Sequence, residues 1–193
     1  MGLKLQGIII NENFETKQNE LFELLGIETF KLINKSTLND YWNGFQSKGK
    51  IVFSFFKNAT IIRCDSHFIS SDPIKSKLSK NHEIMTFYQF DTINAMSFDF
   101  FRNSKPIRRL YTDHASKYFK FEEGQVLPEE NNPKSVDDSF YNLTIHFLTK
   151  RIDSKFVHDP SNSFEYEIKY TYPGFIEKLM GKTKYHNYWK RTF

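Results

Sequence analysis

The chain's 193 residues can bury a full core without disulfides or metal, and its single cysteine, Cys64, excludes an internal disulfide. Twenty-one Phe, ten Tyr and two Trp set the aromatic fraction at 17%, which points to rings packed against a sheet rather than a Leu-rich core. The net charge of +4 is local, because residues 173–193 carry five basic residues against Glu177 alone.

No run approaches the roughly 18 apolar residues of a membrane span, and the first residues lead into a strand rather than a hydrophobic leader. With the lone cysteine, this predicts one cytoplasmic domain over residues 1–193, without membrane association or cofactor. Cys64 itself, inside a strand run, reads as a small core residue.

In chain order, residues 3–10 read as a first strand and residues 16–25 as a helix capped by Thr16 and stopped by Gly26. Residues 28–33 form a short second strand, and Ser36 and Thr37 open a short helix that ends at Gly44. Residues 50–56 and 59–65 make a hairpin with Asn58 in its turn. Residues 66–81, rich in Ser, Asp, Pro and Lys, read as an exposed excursion with one helical turn at 73–78.

An antiparallel meander follows, with runs at 84–90, 93–101, 107–111 and 117–121. In its second run Met96, Phe98 and Phe100 alternate with Ser97, Asp99 and Phe101, so one face is apolar and the other mostly wet. Asn103 suits the tight turn, and Pro106 starts the return strand where no ladder donor is needed. Residues 53–63 align without gaps on 98–108, so the two hairpins read either as one repeated design or as two hairpins that meet one turn problem with common residues. Beyond a polar linker at 129–138, residues 138–152 pattern as a helix, with a strand as the alternative. Residues 164–170 form another strand, and Pro173 opens a short helix closed by Gly181. The sum is an α+β fold: a mainly antiparallel sheet of six or seven strands, covered on one face by the 16–25 and 138–152 helices.

Chemical signals are sparse. Eight glycines stand apart, with neither a dinucleotide-binding nor a Walker pattern, and no nucleophile elbow occurs. Asp65 and His67 leave the first hairpin as Asp113 and His114 leave the second, so equivalent hairpins would bring four metal-ligating residues to one sheet edge, as in a metal-assisted hydrolase. The basic aromatic tail interleaves Lys182, Lys184, Tyr185, Trp189, Lys190 and Arg191, cations and rings that suit phosphates and bases.

The order of a strand ending in Asp65, a variable insert, a hairpin bearing an Arg, and then Glu123-Gly124-Gln125-Val126-Leu127-Pro128-Glu129-Glu130 resembles uncharacterised bacterial single-domain proteins. The likeness covers residues 50–150, and some of those proteins look like small cytoplasmic partners of secreted toxins. It implies a protein-binding role, immunity-like or accessory, and it specifies no catalytic residue. The expected contact surface is the acidic loop with Glu122, Glu123, Glu129 and Glu130, together with rings on the wet strand face, Tyr88 and Phe101.

Overall fold

Ile8, Ile9 and Ile10 give the first strand apolar side chains on both faces, and all three are completely buried. A strand that is apolar on both sides belongs inside a sheet. The computed structural model, which describes residues 4–36, 49–90, 95–113, 119–131 and 162–170, places it there. The strands are β1 (Lys4–Ile10), β2 (Ile27–Ser36), β3 (Lys50–Phe56), β4 (Ala59–Arg63), β5 (Glu83–Phe90), β6 (Ala95–Arg102), β7 (Lys105–Asp113), β8 (Phe119–Gly124) and β9 (Asn162–Tyr170). They form one antiparallel sheet in the order β2-β9-β3-β4-β1-β5-β6-β7-β8, with β1 in the middle.

The meander is as expected, but the sheet has nine strands among the described residues rather than six or seven. Every described segment that the sequence marks as a strand joins it. Residues 162–170, distant in sequence from their neighbours, supply β9, which inserts between β2 and β3 and pairs with both.

The helices are α1 (Gln18–Leu25), α2 (Ser66–Ser70) and α3 (Asp72–Leu78). Thr16 does not cap α1. It lies in a 3-10 turn over Glu15–Lys17, and the Gln18 side chain donates to the Glu15 carbonyl instead. Gly26 ends the helix as expected, its N–H donating to the Glu23 carbonyl. Residues 66–81 are not an exposed excursion. Asp65 accepts from the His67 amide at 2.9 Å as the N-cap of α2, and Phe68, Ile69 and Leu78 of α2 and α3 are buried in the core.

All three helices cover one face. Their Leu21, Phe22, Leu25, Phe68, Ile69 and Leu78 pack with Ile8, Ile10, Phe53, Phe55 and Ile84. A second cluster, with Ile9, Ile61, Met85, Phe87, Phe98, Phe100 and Leu127, fills the opposite face. The expected 138–152 helix, the short helices after Ser36 and Pro173 and the tail lie outside the described residues.

The two hairpins are built differently despite their aligned sequences. Lys57 and Asn58 form the first turn without positive φ, whereas Asn103 and Ser104 form the second with φ of 52° and 62°. Phe53 faces Ile62, but the aligned Phe98 faces Leu110, because the second turn comes one residue later and a bulge near Pro106 shifts the ladder. Nor are the hairpins neighbours, since β1 and β5 lie between them.

Gly7 permits the close packing at the middle of the sheet. A Cβ there would stand 2.5 Å from the Ile62 carbonyl oxygen and 2.9 Å from the Phe87 ring. Gly7→Ala is therefore expected to cost about 1–3 kcal/mol, read as a lowered urea midpoint with an unchanged slope.

Candidate functional site

Strand alternation sends the consecutive Arg108 and Arg109 of β7 to opposite faces, and both are buried, at 2% and 7% exposure. Each needs carboxylates from elsewhere in the chain. Arg108 meets Glu130 through a two-pronged contact, Nε to Oε1 at 2.9 Å and an Nη to Oε2 at 2.7 Å, and also pairs with Glu122. Glu130 further accepts from the Leu127 amide at 2.8 Å, which fixes the 3-10 turn Pro128–Asn131 and seats Leu127 in the second core.

Gly124 makes the bend. Its φ is +86°, and a Cβ there would lie 2.1 Å from the Ile107 carbonyl oxygen. The Glu-Gly-x-x-Leu-Pro-x-Glu element thus has a mechanical explanation: Gly124 turns the chain, Leu127 anchors it and Glu130 grips Arg108. Of the acidic residues expected at a contact surface, Glu122 and Glu130 hold this arginine, Glu123 is exposed, and Glu129 stands in the 3-10 turn.

On the helix face, Arg109 donates to Asp72 at 2.8 Å, and Lys75 of α3 lies 2.8 Å from the other Asp72 oxygen while also bonding Asp99. The two cations flank the Phe101 ring, each 5.1 Å from its centroid. Phe101 is therefore not a surface ring. It is 1% exposed, roofed by α3 and by charges that neutralise one another. Tyr88 on the same face is half-buried, and burial pushes its phenol above the usual range. Lys75 is also fully covered, although it lies in the 73–78 helical turn of a segment read as exposed. Its one available signal was position: Lys75 shares a helical face with Leu78, three residues on.

Of the four proposed metal ligands, Asp65 and Asp113 are not brought together. β4 and β7 do end at the same side of the sheet, but β1, β5 and β6 lie between them, a separation of about 19 Å at one strand spacing per step. Asp65 is engaged as a helix cap and His67 stacks on Tyr170 at 5.4 Å, while His114 lies outside the described residues. Among the described residues no group of three His, Cys, Asp or Glu is placed to hold a metal. Cys64 is fully buried, and burial pushes its thiol well above the usual range. The tail residues Lys182, Lys184, Tyr185, Trp189, Lys190 and Arg191 lie outside the described residues. No described helix is long and apolar enough to cross a membrane.

What sequence reasoning did not single out as a site is β2, although it placed a short strand at residues 28–33. Among the described residues it pairs with β9 alone, so it is the outermost strand at that end of the sheet. Its register slips at Glu28 and again at Ile33. The first slip puts Phe30 and Leu32 on the same face as Ile27, opposite Ile168 and Tyr166. Phe30 stacks on Phe22 of α1 with centroids 3.6 Å apart. Phe30, Leu32 and Ile33 remain 44%, 49% and 47% exposed. Three large apolar side chains within four residues of an edge strand leave an exposed apolar strip of a kind that folded chains normally blunt. No family model, no curated protein and no solved structure matches this chain.

Two outcomes test the charge clusters. Arg108→Met leaves Glu130 without its cation and is expected to cost about 3 kcal/mol in urea unfolding, whereas Glu123→Gln at the exposed position is expected to leave the midpoint unchanged. Burial pushes the Asp72 carboxyl up, but Lys75 and Arg109 outweigh it and hold the group below its ordinary value of 3.8. As the pH falls, the unfolded chain takes up this proton first. The contribution of Asp72 is thus complete above about pH 4 and is lost as the pH drops further. Stability followed from about pH 6 to about pH 3 should fall less steeply in Asp72→Asn than in the wild type.

Proposed function

We propose that this chain is a non-catalytic protein-binding module, an accessory or immunity-like factor, that contacts its partner through β2. The observation that carries this reading is the exposed Phe30, Leu32 and Ile33 on a strand that, among the described residues, is paired on one side only. An open strand edge offers backbone donors and acceptors to an added strand, and apolar side chains beside it supply the burial that makes such an addition stable. The acidic residues in and after β8 contribute less than the sequence implies, because Glu122 and Glu130 are engaged with Arg108. Glu123 remains available on that side.

The test is capture from the native host by a tagged chain produced beside the untagged one, with mass spectrometry of what co-elutes. A stoichiometric protein is expected to be retained by wild type and by Glu123→Gln. Leu32→Asp should reduce its recovery by about tenfold or more, as a contact worth over 1.4 kcal/mol would. Elution without any protein, carrying metal or nucleic acid instead, would overturn the reading in favour of the corresponding rival.

A further inference from the structure

From the geometry of β2 we infer its occupant: a second copy of this chain, added antiparallel across a two-fold axis at Leu32. The inference rests on the reading of β2 as the contact strand and goes beyond it by naming what binds. An antiparallel pair related by a two-fold axis sets residues of the same sheet face opposite each other, so the register can be tested position by position.

The β9 ladder assigns the faces. Phe30, Leu32 and Lys35 lie opposite Ile168, Tyr166 and Phe164 on the helix face, while Thr29, Lys31 and Asn34 lie opposite Lys169, Glu167 and Glu165 on the other. An axis midway between adjacent residues of the unbulged stretch 29–32 would set a helix-face side chain against one from the other face, which the pleat forbids. An axis at Lys31 sets ammonium against ammonium, which is destabilising for directly opposed residues. An axis at Phe30 drives the second strand toward Ile27, which is only 7% exposed and follows directly on α1.

An axis at Leu32 meets none of these obstacles. Leu32 faces its own copy, Lys31 faces Asn34, Phe30 faces Lys35 and Thr29 faces Ser36, using the strand from 29 to its end. The bulge at Ile33 occurs once in each copy at symmetric positions, so the two strands stay in step. Lys35 already lies 5.0 Å over the Phe164 ring of β9 and would meet a second ring, Phe30, across the axis. No like charges are directly opposed. The product is one sheet continuous through two copies, with Phe30 and Leu32 of both strands on a common face.

The test uses the purified full-length chain. Wild type is expected to sediment as a dimer at about 100 μM, and Leu32→Asp to raise the dissociation constant by about tenfold or more. Leu32 is half-exposed, so this variant should keep its circular dichroism. Were it to unfold, cysteine scanning decides instead. Leu32→Cys would meet itself across the axis and form a covalent dimer under mild oxidation, while Thr29→Cys and Lys31→Cys, facing residues 36 and 34, would not; the native Cys64 is buried and does not compete. A monomeric wild type, or equal cross-linking at all three positions, would overturn the inference. If the chain is monomeric yet captures a different protein in a way that depends on Leu32, the second copy is refuted while the protein-binding reading stands. If it dimerises in this register and captures no foreign protein, the inference holds and the accessory or immunity-like role falls.

Discussion

Two consecutive guanidinium groups on β7 constrain much of what surrounds them. Arg108 and Arg109 lie on opposite faces of the sheet, and each is almost wholly removed from water. A buried cation without a partner costs several kcal/mol, so each face must deliver carboxylates. On one face Glu122 and Glu130 do this, and their grip brings the segment after β8 back across the sheet to place Leu127 in the core. On the other, Asp72 does it from the start of α3, with Lys75 and Asp99 completing a neutral cluster over Phe101. The two charge clusters thus tie a loop and a helix to the same strand.

The opposite end of the sheet is held together by apolar contacts. Phe22 touches Phe30, Phe53 and Tyr166, residues of α1, β2, β3 and β9 in one group of rings. This arrangement depends on β9, which arrives from a distant part of the chain to separate β2 from β3. Pairings so far apart in sequence close large loops before they gain contacts, which favours slow folding relative to the local meander. Phe30 and Leu32 continue the same apolar face on β2 and remain about half-exposed.

Much of the local structure could be read directly from the residues. Apolar and aromatic runs bounded by Asn, Gly and Pro marked all nine strands, Gly26 marked the end of α1, and Asn103 marked the tight turn, because backbone geometry near a turn depends on the few residues that form it. The candidate site was much less legible. Glu122 and Glu130 look like a solvated acidic loop in sequence, since nothing in their neighbourhood shows that Arg108 points the same way. Phe101 looks like a ring on a wet face, because its cover comes from α3, more than twenty residues earlier. Asp65 and His67 looked like possible ligands of a shared ion, a reading that presumed two equivalent hairpins.

What the sequence determined by itself is therefore the set of strands, their turns and the local meander, for which the relevant interactions span a few residues. Only the tertiary structure decided that β9 lies between β2 and β3, that the aligned hairpins sit in different registers, and that single-residue bulges bring Ile27, Phe30 and Leu32 to one face. The physical reason is that one extra residue reverses the side to which every later side chain points. Such a slip leaves no mark on composition, and it is selected by contacts with strands far away in the chain.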